Sequence, residues 1–365
     1  MIEAGLRKVS NNTPQQRAAI WAAIAKMRRP LVATHVRPDG DAWGSGIAVV
    51  KYLKNGQGKP FLYLNPHDRL PLFFRTLIER GKVPVVGAAD DIEVFDGLIL
   101  LDTAAAHRIE PPVSALMTSL LARGLPVVDI DHHVGEPLIA PLVNTLVDET
   151  ASSTAELAAQ LLPENRKIGR IVARALLAGI ISDTSNLRFK VTPVTYETVA
   201  ALTRRCGGRV DLRSMFFDTQ GVDTAARALI RDLMKRSQER CVQIAGTEYH
   251  LKFVVVGRDG MPAGDDRWRV PLSNELGFGG NGTSGCDLVL LIYPTPDKYR
   301  GSLRAYNKGM QLDLRQVAGA ISSGGGQPGA VGFDFAYESF ADDAAAVDSV
   351  LTAIQSHAVP FSPAT

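Results

Sequence analysis

At 365 residues, with 45% hydrophobic side chains and forty basic residues set against thirty-eight acidic ones, the chain is too apolar and too evenly charged to be disordered, and it is long enough for two domains. Its formal charge of +2 gives no overall basic field, so a long nucleic acid is not an expected partner. The three cysteines, Cys206, Cys241 and Cys286, are odd in number and scattered, which argues against a disulfide framework; they read as ordinary packing residues in a reducing compartment.

No short apolar core with a small-residue cleavage site stands near the N-terminus, and no apolar run reaches membrane-spanning length. A cytoplasmic protein with no membrane partner is expected. In chain order, QQRAAIWAAIAKMRR reads as a helix and PLVATH as a buried strand that runs into HVRPDGD, where Pro38 and Gly40 break regularity. WGSGIAVVKYLKNG resumes as a helix ending at Gly56. PFLYLN is a strand, the segment from Phe73 to Arg80 a helix, GLILLDTA a second buried strand, and Val113 to Arg123 a helix leading into PVVDIDHH. Strands alternating with helices in this way predict a parallel, helix-covered sheet. Residues 152 to 206 read as mostly helical, through SSTAELAAQLL, IGRIVARALLAGII and TPVTYETVAALTRRCGG. DTAARALIRDLMKRSQERC has helical apolar spacing and reads as an interdomain helix. The runs HLKFVVVG, CDLVLLIY and RGSLRAY, a glycine-rich loop near Gly277 to Gly285, and SSGGGQPGAVGF then predict a second, smaller α/β domain, ending in an Ala-rich helix. The expected boundaries are 1–220 for the first domain, 221–242 for a helical linker, 243–345 for the second domain and 346–365 for a C-terminal helix and tail.

Four places in the first domain put acids or histidines at the ends of apolar segments. They are His35, Asp39 and Asp41 in THVRPDGDAWGS; Asp102 in LILLDTA; Asp131, His132 and His133 in VVDIDHH; and Asp183 in GIISDTSNLRF. In parallel strands the first three groups converge on one sheet edge, where open α/β sheets bind ligands, and Asp183 joins from a helix end. Carboxylates packed together repel one another and raise each other's pKa, a conflict that divalent cations remove. Mixed histidine and carboxylate ligands suit Mn²⁺, and this many donors suit two ions. Singly, each residue has an ordinary role: Asp39 and Asp41 as turn formers, Asp102 and Asp183 as helix caps, His132 as a buried, satisfied histidine. His67, His250 and His357 read as surface or packing residues, and His107 as a candidate for the rim of the site.

Taken in order, THVRPDGDAWGS, LLDTA, DHHVG and ISDTSNLRF resemble the four motifs of the DHH phosphoesterase family, and GSLRAY and GGGQPGAVGF resemble the strand and glycine loop of its DHH-associated domain. The nearest resemblance is to the NrnA-like subgroup, which implies hydrolysis of short oligoribonucleotides and of 3'-phosphoadenosine 5'-phosphate. The resemblance implies two divalent ions, Mn²⁺ first among them. One would be held by His35, Asp39 and Asp102, the other by Asp41, Asp102, His132 and Asp183, with Asp102 bridging. It further implies that His133 faces the scissile phosphate, that Asp131 orients the histidine pair, and that Arg304 and the loop Gly324, Gly325, Gly326 and Gln327 grip the substrate between the two domains. The family's loop usually ends in histidine where this chain has Gln327, which hydrogen-bonds but cannot become cationic. Ser185 stands where many members have glycine. A short oligonucleotide or small nucleotide is therefore the expected partner, with a homodimer left open. Pyrophosphate, polyphosphate or a cyclic-dinucleotide product are alternative substrates, and a nucleotide-binding regulator is the non-enzymatic alternative.

Overall fold

Apolar runs with no alternating polar positions need cover on both faces of their sheet, and the N-terminal part of the chain supplies it. The computed structural model describes residues 11–56, 58–87, 93–103, 105–133, 144–162, 168–257, 267–279, 284–322, 324–336, 339 and 342–361. The chain forms two units divided between Gly221 and Val222.

The first unit runs α1 (Pro14–Ile24), β1 (Pro30–Thr34), α2 (Gly40–Lys54), β2 (Phe61–Tyr63), α3 (Leu72–Gly81), β3 (Val85–Val86), β4 (Gly97–Leu101), α4 (Pro111–Ala122), β5 (Val127–Asp131), β6 (Thr145–Val147), α5 (Thr154–Leu161), α6 (Arg170–Asp183), α7 (Pro193–Arg205) and α8 (Leu212–Thr219). Its six strands are all parallel, in the order β3-β2-β1-β4-β5-β6. Val32, Ile99, Leu101, Val128 and Ile130 pack beneath α2, α5 and α6, while Leu31, Ala33, Leu98, Leu100 and Val127 pack on the opposite face beneath α4. Each of these side chains except Ala33 contributes about 1.5–3 kcal/mol on burial. The chain leaves β1 toward β2 and β3, then returns to β4 on the other side of β1. The switch in strand order between β1 and β4 opens the crevice in which ligands of such sheets bind.

Glycine lets α2 and α6 approach closely. A Cβ on Gly44 would stand 2.5 Å from the Ala175 carbonyl oxygen and 2.8 Å from the Gly179 nitrogen, and one on Gly40 would stand 2.1 Å from Ser182 Oγ. The two helices run antiparallel, so this contact brings the last residue of α6 beside the first turn of α2.

The second unit comprises α9 (Thr224–Arg236), β7 (Gln238–Ile244), β8 (Thr247–Val255), α10 (Arg269–Phe278), β9 (Leu288–Pro294), β10 (Tyr299–Ala305), β11 (Leu312–Asp313), α11 (Arg315–Ile321), β12 (Gly325–Gln327), β13 (Ala330–Phe335), α12 (Asp343–His357) and β14 (Val359–Pro360). Its larger sheet is mixed, ordered β12-β13-β10-β9-β8-β7, with β8 and β9 parallel and the other pairs antiparallel. Val317, Val347, Val350 and Ile354 from α11 and α12 bury its inner face with Leu251, Leu290, Leu303 and Phe333.

Three expectations change here. The helix read through DTAARALIRDLMKRSQERC stops at Arg236, and the chain continues as the edge strand β7, which turns through Ala245 and Gly246, both at positive φ, into β8. Its buried residues, Val242 and Ile244, alternate with exposed ones, a strand period that outweighs the helical propensity of the preceding charged run. The segments expected as linker and C-terminal helix belong to the second unit, where α9 packs on α10 and α12 on α11 and β7. Cys241, read as a packing residue, is exposed, whereas Cys206 and Cys286 are buried. Helices α8 and α10 were not foreseen. Of the glycine-rich loop near Gly277 to Gly285, residues 280–283 lie outside the described residues, as do Val134 and Gly135 of DHHVG. No helix among the described residues is long and apolar enough to cross a membrane.

Candidate metal centre

Strand register assembles the site. Thr34 pairs with Leu101 and Leu101 with Ile130, so the next residues along the three adjacent strands, His35, Asp102 and Asp131, stand side by side at the carboxyl edge. Asp102 turns off β4 with φ at +57°, a left-handed conformation that costs on the order of 1–3 kcal/mol in a residue with a Cβ and recurs at functional sites. Asp39 caps α2, its Oδ1 accepting from the backbone N–H groups of Asp41 and Ala42. Asp39, expected as an ordinary turn former, is instead a helix cap, and the cap occupies one carboxylate oxygen. Asp41 lies in the first turn of α2, and Asp183 ends α6.

His35, Asp39 and Asp102 offer ligand atoms all within 4.8 Å of one another, and so do Asp41, His132 and Asp183. Asp102 belongs to both neighbourhoods: its Oδ2 lies 3.7 Å from His35 Nε2 and its Oδ1 lies 3.6 Å from His132 Nε2. His132 Nε2 is also 3.6 Å from Asp183 Oδ2. These separations are too long for hydrogen bonds. They are near the roughly 3.0–3.5 Å at which donors sit around one ion with bonds of about 2.1 Å. Buried His132 Nε2 makes no hydrogen bond, an orphaned donor atom that a divalent ion would satisfy.

The surroundings hold these groups in place. His35 Nδ1 donates to the Val36 carbonyl at 2.8 Å, which leaves the Nε2 lone pair directed at Asp102. Asp41, almost fully buried, accepts from the Thr154 and Ala155 backbone N–H groups at 2.6 and 2.8 Å, and the Thr154 hydroxyl donates to Asp102 at 3.1 Å. Burial, then the neighbouring carboxylates, pushes Asp41 and Asp102 well above the usual carboxylate range. The same causes, with Asp39 the leading neighbour, push Asp183 up to about 7. Burial also lowers both histidines, His132 to about 4, so their rings are neutral and able to ligate at neutral pH.

His133 forms a third neighbourhood with Asp102, Asp131 and His132, its Nδ1 lying 3.6 Å from Asp102 Oδ1. Its Nδ1 and its backbone N–H both donate to Asp131 Oδ1, at 2.8 and 3.0 Å, and the half-exposed ring leaves Nε2 for another group. Arg108 and Lys190 lie close enough to add positive charge to the two histidines and Asp183, which sequence reasoning missed. Nor did it foresee Thr154, whose contribution depends on a helix start more than fifty residues from Asp102. His107 is exposed and joins neither group. Ser185, Asn186 and Leu187 are consecutive residues at positive φ, which explains why glycine suits position 185.

In the second unit, Arg304, Gly324 and Gly325 line a cavity of about 340 Å³ together with Arg269, Arg300 and Ser302. Gly326 and Gln327 are exposed on β12 and do not line it. Alternation along β10 puts Arg300, Ser302 and Arg304 on one face, a period of two already present in RGSLRAY. Arg269 has no such signal. It is placed by α10 and by its bond to the Tyr293 hydroxyl, 2.7 Å.

The model of the DHH family, N-terminal domain, matches residues 29–180, the stretch that carries β1 to β6 and all but one of the acids and histidines gathered above. Two curated relatives match this chain. The cyclic-di-AMP phosphodiesterase GdpP of Geobacillus thermodenitrificans is 29% identical over 62% of this chain and 33% of its own length. The cyclic-di-AMP phosphodiesterase PdeA of Listeria monocytogenes is 28% identical over 50% of this chain and 29% of its own. The chain therefore spans about a third of the length of the curated relatives it matches. Among solved structures, an exopolyphosphatase-related protein from Bacteroides fragilis superposes with a TM-score of 0.66 at 15% identity, covering 94% of this chain and 97% of that one, which shows a shared two-unit fold. Within the matched stretch, His35, Asp102 and Asp131 stand at the carboxyl edge of the sheet.

Proposed function

We propose that this chain is a metal-dependent phosphoesterase acting on short oligoribonucleotides or on small nucleotides such as 3'-phosphoadenosine 5'-phosphate. The observation that carries the reading is Asp102, a buried carboxylate whose two oxygens face different histidines, His35 and His132, as a ligand shared by two ions would. In this proposal His35, Asp39 and Asp102 hold one ion and Asp41, Asp102, His132 and Asp183 the other, and the mixed nitrogen and oxygen donors favour Mn²⁺. Such a pair supplies Lewis-acid charge to the phosphoryl group and acidifies the attacking water. His133, fixed by Asp131 through Nδ1, turns Nε2 toward a non-bridging phosphate oxygen. Thr154 and Ala155 hold Asp41 in its ionised, ligating orientation. Arg269, Arg300 and Arg304 give the second unit a cationic cavity for a phosphate, in which Arg304 supplies a bidentate contact and Gly324 and Gly325 let backbone approach. Gln327 does not line that cavity.

The two cyclic-di-AMP phosphodiesterase relatives favour a second reading, in which a cyclic dinucleotide or its linear product is the substrate. Product formation from di- and triribonucleotides, 3'-phosphoadenosine 5'-phosphate, cyclic di-AMP and its linear dinucleotide, with Mn²⁺ or with all metal chelated, separates the two. Cleavage that requires metal and is lost in Asp102→Ala supports the assignment. Full activity in Asp102→Ala overturns it, and tight nucleotide binding without turnover of any compound makes the chain a regulator.

A further inference from the structure

The hairpin of β7 and β8 carries a second set of metal-ligating groups, unrelated to the DHH motifs. Cys241 pairs directly with His250 across the two strands, and Glu248 lies two residues from His250 toward the turn, opposite Gln243. Residues two apart on a strand share a face, so Cys241, Gln243, Glu248 and His250 all project from one side of the hairpin. The other side carries Val242, Ile244, Tyr249 and Leu251 into the core of the second unit. The alternation therefore holds the four polar residues at the surface, where all are exposed. Cys241 Sγ is 3.9 Å from His250 Nδ1, and the ligand atoms of Cys241, Glu248 and His250 all lie within 4.8 Å of one another. Gln243 Nε2 donates to Glu248 Oε2 at 3.2 Å and steadies that carboxylate.

We infer that Cys241, Glu248 and His250 form a binding site for a thiophilic divalent ion of the zinc class on the outer face of the β7–β8 hairpin. One thiolate, one imidazole and one carboxylate are the donor types that zinc takes, and three protein donors leave a position open for water or a fourth group. The thiolate separates this site from the oxygen-rich centre of the first unit, because sulfur discriminates against Mn²⁺ and Mg²⁺. The scaffold is short and fixed by the turn at Ala245 and Gly246, so little ordering is needed on binding. An ion there ties together the two strands at the open edge of the mixed sheet. The inference does not depend on the proposed phosphoesterase activity.

Cys241 is the exposed thiol, while Cys206 and Cys286 are 3% exposed each, so alkylation of the native chain reads Cys241. The test is the alkylation rate of the full chain with and without Zn²⁺, in wild type, Asp102→Ala, His250→Ala and Glu248→Gln. At zinc about ten times its dissociation constant, alkylation should slow about tenfold in wild type and Asp102→Ala alike. His250→Ala and Glu248→Gln should restore most of the rate at the same zinc concentration. Cd²⁺ should produce sulfur-to-metal charge-transfer absorbance at one ion per chain, absent in Cys241→Ser. No slowing by zinc overturns the site. Slowing of equal size in His250→Ala and Glu248→Gln also overturns it, since the thiol would then bind zinc without its neighbours.

Discussion

Gly44→Ala tests whether the close approach of α2 and α6 sets the geometry of the metal centre. The new Cβ would stand 2.5 Å from the Ala175 carbonyl oxygen, 2.8 Å from the Gly179 nitrogen and 2.9 Å from its Cα. All three are backbone atoms, so no side chain can rotate out of the way. Ordinary contact needs about 3.5–4 Å, and the two helices must part by roughly 1 Å. Overpacking of this kind costs about 1–3 kcal/mol, and at about 2–4 °C per kcal/mol for a unit of this size the melting temperature should fall by about 2–12 °C. The functional effect should be larger than the thermal one. Asp41 rides on α2 and Asp183 on α6, and a displacement of about 1 Å at reacting groups costs about a hundredfold in rate. Thermal melts and turnover of the best substrate, compared with wild type, measure both. Gly319→Ala is the control: Gly319 lies in α11 with no atom within 4 Å of the new Cβ, so it should gain up to about 1 kcal/mol from helix propensity. A Gly44→Ala variant that melts and turns over like wild type refutes the argument that the glycines fix the ligand spacing.

The remaining expectations concern the site itself. His133→Ala should lower kcat by about 10²–10⁴-fold with little change in metal affinity, and Asp131→Asn by about 10–100-fold, because Asp131 acts through the ring it holds; equal metal loss in both variants would place them among the ligands instead. Metal-free protein should become more stable as the pH falls from 8 to 6.5. Asp183 is pushed up to about 7 when folded and has an ordinary carboxylate pKa when unfolded, so the folded state takes up its proton first. Below about 6.5 the two histidines, lowered in the folded state, work in the opposite direction. Melts in chelator across that range check the sign, and the affinity for Mn²⁺ should weaken as Asp183 protonates. Arg304→Ala should raise KM by about tenfold or more through loss of a charge-assisted contact, whereas Gln327→His, on the exposed strand β12, should leave KM within about twofold. A large gain in Gln327→His would show that the loop does reach the substrate.

The parallel sheet was legible in the runs LVAT, LILL and VVDI, which are apolar on both faces apart from Thr34 and Asp129 and alternate with helical segments. The sequence also brought out the four acidic and histidine clusters, because each interrupts an apolar run at the point where a parallel strand must end. Which of these donors lie together depends on the tertiary structure. Asp102 faces His35 with one oxygen and His132 with the other only because β1, β4 and β5 are neighbours in register, an order set by the switch between β1 and β4. Asp183 approaches Asp41 because glycines on two helices, remote in sequence, remove the Cβ atoms that would keep those helices apart. The arginine cavity and the Cys241 hairpin were written in the sequence as alternate positions on strands. A period of two gives faces but not neighbours, and the segment carrying Cys241 also has the charges of a helix. Pairing with β8 resolved that ambiguity, since only backbone hydrogen bonds to another strand and burial of Val242 and Ile244 decide which period the chain obeys.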